Sequence, residues 1–595
     1  MEFNLRLCNR LRWNFPNLLT HCRFGSGAKH MKARLSSYAA IIFTCALSLA
    51  PGNISARTWY AATANRSDVA ATILQAADGD TVVVPDTRSL PGGAATWPSR
   101  INVAVGITIK GQTTITGAGT SSPTIANNTV IRDNSPRNTK QSGLVQFSLT
   151  PTQQCRITGF TFKSGTSNIL NQNGIVQLTS SGTAPTYTMR VDQCHFDHVN
   201  SRCIEVGGWC MGVADHNVVH VEGNSQCLFV NHPGYNNGAG QGHESWADYP
   251  YFGTRNFFFF EDNSVYGNGI VPTSGASDAA FGARCVIRHN YWENARPGWH
   301  GTEGGSRGTR AVEVYNNTSH WTMAPSASAR SGNALYHDNT WDGHNTSGTP
   351  VHSSIILFRA EGAGGINGGV MGSADGTSPW DRNDTEGNGT YVPGHTPHLF
   401  ASGTVATNAA AGTLNDATAN WAPHRWIGYS VTNKNPAAPS YLKGSVITEN
   451  TATQISYIYY SANDRGPSLV FRAGDGYEIH RCLTVLDQPG RGKGDMCAGT
   501  SHDPINLVTG TPFWTHELVE PSFSWNNVYT PTNTAWGFGS PFPQCIDGRD
   551  FYNLGMGFPA NSTPLQVSAI LNTAVNGVQY NKTYTYPHPY TLVPP

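Results

Sequence analysis

Titratable side chains are concentrated between residues 278 and 313, although charged residues make up only 13% of the chain. Arginine binds carboxylate and sulfate groups through paired N–H donors, and histidine and glutamate transfer protons near neutral pH. These residue types together predict a site for an acidic sugar or a sulfate group. The members of the cluster are Asp278, Arg284, Arg288, His289, His300, Glu303, Arg307, Arg310 and Glu313.

Two of these arginines occupy matching places in a repeating pattern. Arg284 and Arg310 each stand six residues before an asparagine, Asn290 and Asn316. If these asparagines are equivalent in a stack of strands, the two guanidinium groups lie on one face about 4.8 Å apart. Groups that close repel each other unless anions lie between them, and an acidic ligand would supply the anions. The alternative is that Glu303 or Glu313 pairs with these arginines in a purely structural ladder.

The repeating pattern itself covers the middle of the chain. Each unit is a short run of apolar and β-branched residues that ends on an asparagine, before a break rich in Gly or Asn. The runs are FFFFEDNSV (257–265), RCVIRHNYW (284–292), RAVEVYNNT (310–318) and NALYHDNTW (333–341). The closing asparagines are Asn263, Asn290, Asn316 or Asn317, and Asn339, so the steps are 27, 26 or 27, and 22 or 23 residues. A period in the twenties is typical of solenoid proteins.

Among solenoids, a parallel β-helix fits these residues best. The leucine frame of leucine-rich repeats and the 3.6-residue period of helical repeats are both missing. In stacked parallel strands, an asparagine at a turn can hydrogen-bond its equivalents above and below, which predicts an asparagine ladder. Asparagine also simply ends strands, which is the alternative explanation. We predict that the ladder continues upstream through Asn134, Gly159, Cys194 and Asn217.

The N-terminal segment predicts export. Residues 1–30 have no periodicity and are expected to be a non-native or disordered extension. Residues 31–56 have a basic start, an apolar middle and small residues at the end, as in a signal peptide. No later stretch is apolar enough to span a bilayer, so we expect a secreted protein, extracellular or periplasmic, without membrane insertion. Basic and acidic residues balance at 38 each, which gives no sign of nucleic-acid binding.

Beyond the signal peptide, the chain resembles a known superfamily. The features that carry the resemblance are a short amphipathic segment at 67–77, an Asp-Gly-Asp turn and the strand Thr81-Val82-Val83-Val84. They resemble the N-terminal cap of right-handed parallel β-helix proteins of the pectate-lyase-like superfamily. The segments RCLTVLDQPGRGKGD (481–495), GRDFYNLG (548–555) and YTYPHP (584–589) are similar to a group of exported bacterial proteins whose reaction is not established.

The resemblance implies an all-β fold: a single-stranded right-handed parallel β-helix with a short N-terminal cap helix. Its first part is expected at 57–398, with early coils in 107–117 and 129–134. An inserted antiparallel β module is predicted at 399–479, where the composition shifts to Ala, Thr and Asn. Residues 480–595 are expected to continue the helix and to cap its C-terminal end.

A 46-residue step between Asn217 and Asn263 contains the long segment 222–253. Long loops within a regular stack frequently carry function, so we expect this one to wall a groove that includes His243 and Glu244. The alternative is a decoration specific to this lineage.

Three functions fit these residues. The favoured one is a lyase that cleaves a uronate-containing polysaccharide by β-elimination, with Arg284 and Arg310 beside the carboxylate and His300 or His243 as base. Expected substrate-binding residues are Glu244, Asp278, Arg288, Glu303, Arg307 and Trp299. A glycoside hydrolase with paired carboxylates, drawn from Asp278, Glu303 and Glu244, and a non-catalytic glycan-binding protein are the alternatives.

The sequence assigns no metal. The cofactor is unknown, with calcium open because many lyases of this superfamily use an aspartate cluster for it, and no such cluster is evident here. Nine cysteines follow the signal peptide, an odd number, and no zinc-type CxxC pair occurs among them.

Overall fold

The computed structural model describes a chain that is almost entirely β-structure. The described residues are 56–167, 172–180, 184–222, 225–232, 251–267, 276–299, 309–320, 328–329, 332–343, 353–355, 399–427, 429–435, 444–457, 469–481, 491–492, 518–519, 522–539, 551–554, 574–575, 578–579 and 582–592. Within these ranges there is one α-helix, Arg66–Ile73, and two short 3₁₀ helices, Pro91–Gly93 and Pro589–Leu592.

The largest sheet, here sheet 1, has twelve strands, and every neighbouring pair is parallel. Its spatial order follows the chain order. Its strands are Thr58–Tyr60, Thr81–Val83, Thr108–Lys110, Cys155–Thr158, Thr186–Asp192, Cys210–Asp215, Phe258–Glu261, Arg284–Arg288, Ala311–Tyr315, Asn333–His337, Ser522–Trp525 and Phe551–Leu554.

Two further sheets accompany it. Sheet 2 is parallel apart from its last strand and comprises Ala95–Trp97, Val130–Asp133, Thr161–Ser164, His195–Val199, Val218–Val221, Ser264–Tyr266, Tyr291–Glu293, Thr318–His320, Thr340–Trp341, Val528–Tyr529 and Thr534–Ala535. Sheet 3 is parallel and comprises Ile101–Val103, Val145–Leu149, Gly174–Ser180, Arg202–Gly207, Leu228–Asn231 and Ser277–Ala280.

The chain visits these sheets in a fixed cycle. One passage runs from Arg202–Gly207 in sheet 3 to Cys210–Asp215 in sheet 1 and Val218–Val221 in sheet 2, and returns to sheet 3 at Leu228–Asn231. This cycle of stacked parallel strands is compatible with the predicted parallel β-helix. A smaller parallel sheet follows later in the chain, made of Ser328–Ala329, Ser353–Ile355 and Phe538–Gly539.

Alternation along the strands of sheet 1 separates an inner from an outer face. Phe258 and Phe260 pack into the main core, whereas Phe259 belongs to a second apolar cluster on the other face. On the next strand Cys285 and Ile287 are again in the main core. Since successive side chains of a strand point to opposite faces, both faces of sheet 1 are covered. This explains why its strands are nearly continuous apolar runs.

The predicted asparagine ladder is present and continues beyond Asn339 to Asn527. Each ladder side chain donates through Nδ2 to the Oδ1 of the next, at 2.9–3.0 Å. All six side chains are buried, and each Oδ1 after the first also accepts the backbone N–H of the preceding ladder residue. The ladder consists of Asn217, Asn263, Asn290, Asn317, Asn339 and Asn527.

The residue before each ladder position has a left-handed backbone conformation. In sequence order these residues are Gln193, His216, Asp262, His289, Asn316, Asp338 and Asn526, with φ between 51° and 56°. The third closing asparagine is therefore Asn317, whereas Asn316 makes the turn. Cys194 occupies the ladder position upstream and donates its N–H to Asn217 Oδ1 at 3.0 Å. The placement of Gly159 in the ladder was wrong, because it lies at the turn position with φ 77°.

The same correction applies to Asn134. It follows the strand Val130–Asp133 of sheet 2, whereas the ladder residues precede strands of that sheet. Residues at the end of a strand cannot stack on residues at its start. Asn134 instead accepts N–H groups from Thr166 and Ser167 through its own side chain.

The N-terminal helix Arg66–Ile73 is shorter than the predicted 67–77. Val69 and Ile73, one turn apart, are buried in the main core, and this spacing explains which face packs inward. The predicted early coil at 107–117 was correct only for Thr108–Lys110. Thr114–Thr116 pairs antiparallel with Thr124–Ala126 in a separate hairpin.

Antiparallel pairing dominates in the region of the predicted insertion. A six-stranded sheet there has its own apolar cluster, which includes Leu414, Val431, Ile447, Ile455 and Ile479. Its strands are Leu399–Thr404, Thr413–Asn415, Tyr429–Asn433, Gly444–Asn450, Gln454–Tyr457 and Gly476–Arg481. The predicted domain boundaries themselves stay predictions. Two further small sheets have two antiparallel strands each. They pair Arg491–Gly492 with Leu518–Val519, and Ala574–Val575 with Val578–Gln579.

The ladder yields a stability prediction. Asn290 donates to the carbonyls of Phe260 and Arg288 and to Asn317 Oδ1, and accepts from Asn263. Asn290→Ala leaves these buried groups unpaired and should lower the free energy of unfolding by about 3 kcal/mol. Urea titration followed by circular dichroism measures the loss. Asn102→Ala, on an exposed strand position, should change it by less than about 0.5 kcal/mol; equal losses in both variants would contradict the ladder's role.

Candidate functional site

The sequence-predicted site residues that the structure describes are buried. Arg284, Arg288 and Arg310 are each 0% exposed, Trp299 is 1% exposed and Asp278 is 6% exposed. The expectation that Arg284 and Arg310 line an exposed groove is therefore wrong. His243, Glu244, His300, Glu303 and Arg307 lie outside the described residues, and their roles stay predictions.

The predicted stacking of the two arginines was also wrong. Arg284 pairs in register with Ala311, and the N–H of Arg310 bonds to the carbonyl of Ala283. The two arginines are thus one residue out of register, because Asn317 and not Asn316 is the ladder residue. The guanidinium of Arg310 bonds to Asn333 Oδ1, and that of Arg284 lies 5.3 Å from the ring centroid of Tyr251.

The outer face of sheet 1 carries a buried ionic ladder. In-register strand positions place Asp192, Asp215, Glu261, Arg288 and Tyr315 in one column. Arg288 pairs with Glu261 at 2.6 Å and with the Tyr315 hydroxyl at 2.8 Å. Buried charges are tolerated only when they are paired, and this column meets that requirement. The structural alternative had paired Glu303 or Glu313 with Arg284 and Arg310, whereas the buried ion pair seen here joins Arg288 to Glu261.

A C-terminal segment, 582–592, closes this face. Arg288 donates to the carbonyls of Tyr584 and Thr585 at 2.8 and 2.9 Å, and Glu261 accepts the N–H of His588 at 2.8 Å. Tyr586 stacks on the His289 ring with centroids 3.6 Å apart. These contacts remove the ionic ladder from solvent. The YTYPHP motif at 584–589 thus has a structural role here.

The outer face of sheet 2 is different, because its ionisable side chains reach solvent. In-register pairs place six of them in one row that crosses six neighbouring strands. Lys163 and His320 have side chains 39% and 52% exposed, and Asp197 has one that is 18% exposed. The row consists of Lys163, Asp197, His220, Tyr266, Glu293 and His320.

Two imidazoles meet at one end of this row. His195 lies beside Asp197 on the same strand, diagonal to His220, and its Nε2 is 3.1 Å from His220 Nδ1. Its Nδ1 lies 2.8 Å from Asn127 Oδ1, which also accepts the hydroxyl of Thr161 at 2.7 Å. An amide oxygen only accepts, so His195 carries its proton on Nδ1. The Nε2 lone pair therefore faces His220.

The protonation of this cluster follows from burial and from Asp197. Burial lowers the pKa of His195 to about 4 and also lowers that of His220, so both rings are neutral at pH 7. Burial alone would raise the pKa of Asp197, but hydrogen bonds from Lys163 and His198, both at 2.7 Å, outweigh it and lower the value to about 2. The cluster combines neutral nitrogen bases with an ionised carboxylate.

The hairpin of Thr114–Thr116 and Thr124–Ala126 flanks the row. Its tip is attached to sheet 2, since Gly119 donates to Ser264 Oγ at 3.0 Å and Ser264 donates to the Thr120 carbonyl at 2.7 Å. Gly119 has φ +81°, and a Cβ there would stand 3.2 Å from the Cα of Asp262. The close approach of the hairpin to the sheet therefore needs glycine.

This cluster was missed in the sequence, although a signal for it exists. Counted from the ladder positions Cys194 and Asn217, Asp197 and His220 are both third residues, and His195 is a first residue. Odd positions after the ladder point outward in sheet 2, so the alignment alone brings the three together. Their distance from the conspicuous 278–313 cluster hid them.

Comparisons with protein-family models, with curated proteins and with solved structures each returned no match. Within the described ranges, no helix has the length and apolarity needed to cross a bilayer.

The buried face of sheet 1 makes stability depend on pH. Burial raises the pKa of Glu313 from 4.5 to about 7, against the Gly253 N–H that donates to it at 2.8 Å. The folded state therefore holds a proton that the unfolded chain releases, and stability falls as pH rises from 4.5 to about 7.

Glu313→Gln should reduce that slope by up to about 1.4 kcal/mol per pH unit. Part of the slope remains, because burial also raises the pKa of Glu205 to about 7. Urea titrations at several pH values between 5 and 8 measure it. Glu222→Gln, at a half-buried glutamate outside sheet 1, is the control and should keep the full slope. An unchanged slope in Glu313→Gln would show that this carboxyl is ionised in the folded protein.

Proposed function

We propose that this is an exported polysaccharide-active enzyme, which cleaves a uronate-containing glycan by β-elimination on the outer face of sheet 2. The observation that carries the proposal is the neutral imidazole pair His195–His220 on an accessible face, next to the ammonium group of Lys163. β-Elimination needs a base for the proton next to the carboxylate and a cation that stabilises the enolate-like intermediate. Both kinds of group occur here within one cluster.

Each step has a candidate residue. His220, with its unprotonated nitrogen, would take the proton from the carbon bonded to the carboxylate. Lys163 and His198 would stabilise the negative charge that then develops on the carboxylate oxygens. Tyr266, whose ring stacks on His220 with centroids 5.1 Å apart, would give a proton to the glycosidic oxygen as its bond breaks. The products are a shortened glycan and an unsaturated uronate end.

The hydrolase alternative is less favoured by the spacing on this face. Asp197 and Glu293, the carboxylates of the row, are three strands apart, which corresponds to about 14 Å. Paired catalytic carboxylates of glycosidases lie about 5–9.5 Å apart. The carboxylates Asp192, Asp215 and Glu261 of sheet 1 are buried and paired with arginines or backbone groups. A non-catalytic glycan-binding role along the same row remains the second candidate function, with the ring of Tyr266 as a contact surface.

We further propose that the three parallel sheets wind as a single-stranded right-handed β-helix of the pectate-lyase-like type. The fixed cycle of sheets, the asparagine ladder and the N-terminal helix support this, and right-handed crossovers are strongly preferred between parallel strands. Export through a signal peptide at 31–56 is part of the same proposal. A crystal structure of the secreted protein would test the handedness, and N-terminal sequencing would test the cleavage site.

A screen of the purified protein against uronate polysaccharides, read by ultraviolet absorbance of the unsaturated product, tests the reaction. His220→Ala should lower kcat at least 100-fold, because general-base catalysis contributes about 10²–10⁴-fold. The control is His424→Ala, at an exposed histidine of the antiparallel sheet, which should retain full activity. Reducing ends without unsaturated product would indicate a hydrolase, and binding without cleavage would indicate a glycan-binding protein.

The pH profile provides a second test. A base must be unprotonated, and the lowered pKa of His220 keeps it so below the usual histidine range. The midpoint of the acid-side fall in kcat/KM should therefore lie below 6.5, the ordinary histidine value. A midpoint above this value would exclude His220 as the base.

A further inference from the structure

We propose that His195, Asp197 and His220 bind a divalent transition-metal ion of the zinc type. Each of the three residues offers one ligand atom, and these atoms all lie within 4.8 Å of one another. Two nitrogen ligands and one carboxylate oxygen form a donor set that suits zinc, cobalt, nickel or copper. Calcium instead takes six to eight oxygen ligands, which this set does not supply.

The distance between the two imidazole nitrogens fits a shared ion. Zinc–nitrogen bonds are about 2.0–2.1 Å long, so two nitrogens at a tetrahedral angle lie about 3.3 Å apart. His195 Nε2 and His220 Nδ1 are 3.1 Å apart. With the Nε2 lone pair of His195 facing His220, the Nδ1–H of His220 is the donor in this contact. Binding therefore needs a small adjustment of the rings and a shift of the His220 proton from Nδ1 to Nε2. Asp197 is the register partner of His220, so its carboxylate stands on the neighbouring strand beside the pair.

The surroundings of His195 support a ligand role. Metal-binding histidines usually donate their other ring N–H to an oxygen acceptor, which fixes the tautomer and the ring orientation. His195 makes this contact through Nδ1 to Asn127 Oδ1 at 2.8 Å, and Thr161 holds Asn127 in turn at 2.7 Å. Asn127 fixes the tautomer in which the Nε2 lone pair of His195 is directed at His220. It directly follows the hairpin strand Thr124–Ala126 and lies 68 residues before His195 in the chain. This is an independent element that orients the ligand.

Neighbouring side chains already engage the carboxylate ligand, Asp197. The groups that face Asp197 are Lys163 and His198, each 2.7 Å from it. The ammonium group of Lys163 competes with the metal for this carboxylate. Removal of the Lys163 ammonium group should therefore strengthen metal binding. Adventitious binding to a surface histidine would not show this effect.

Thiols do not compete for the ion in the described part of the chain. The six cysteines described there, Cys194 beside His195 included, are all buried in the main core. With three protein ligands, the fourth position of a tetrahedral ion is left for water or an anionic oxygen of a ligand. Metal binding would place the His220 proton on Nε2, so a metal-loaded protein lacks that base.

Calorimetric titration of the full chain, expressed without a histidine tag and stripped with chelator, tests the site. Zn²⁺ should bind at one site, and Co²⁺ should give visible d–d bands typical of a nitrogen and oxygen environment. His220→Ala should weaken binding by at least about 100-fold, and Asn127→Ala by about 10–100-fold through misorientation of His195. Lys163→Met should tighten binding. His424→Ala is the matched control and should bind as the unaltered protein does.

The result does not depend on the proposed reaction, because binding is measured without a substrate. Unchanged Zn²⁺ affinity in His220→Ala and Asp197→Asn, with a circular dichroism spectrum like that of the unaltered protein, would overturn the site. Equal binding of Ca²⁺ and Zn²⁺ would overturn it as well. If these variants do not fold, Lys163→Met still decides, since a carboxylate-based site requires tighter binding and an unaltered affinity contradicts it.

Discussion

The stacking of asparagine side chains along one turn sets the register on which the rest of this structure depends. Each amide joins its neighbour through Nδ2 and Oδ1 and also accepts a backbone N–H, so a shift by one residue would leave several buried groups unpaired. The ladder even joins Asn339 to Asn527, across 188 residues of chain. The neighbouring columns of side chains on the strands that contact this ladder follow the same register.

That common register produces two chemically different faces. On sheet 1 it aligns carboxylates and arginines in buried ion pairs. A buried charge is tolerated there because its partner compensates for the lost contact with water. On sheet 2 it aligns Lys163, Asp197 and His220 where solvent reaches them. Of these two described faces, the one on sheet 2 is accessible to ions and ligands from solvent. Burial, more than the types of residue, separates the structural ladder from the candidate site.

Segments remote in sequence decide which face is covered. The N–H of His588 reaches Glu261 across 327 residues, and Tyr586 reaches Asp262 across 324, so the C-terminal segment closes sheet 1. The hairpin that contains Gly119 reaches Ser264 across 145 residues and flanks the row on sheet 2. Asn127, just after that hairpin, sets the tautomer of His195. Long-range contacts thus bury the ionic ladder of sheet 1 and orient His195 on sheet 2.

The all-β class, the stacked parallel strands and most ladder positions could be predicted from the sequence alone. A repeat period and strand alternation are local properties, because each coil repeats the same inside and outside pattern. The choice between Asn316 and Asn317 could not be made this way, since either residue can adopt the left-handed turn. That single residue changed the alignment of Arg284 with Arg310. Burial of the arginines and the ring orientation of His195 were decided by tertiary structure alone, because each depends on segments dozens to hundreds of residues away that no local pattern encodes.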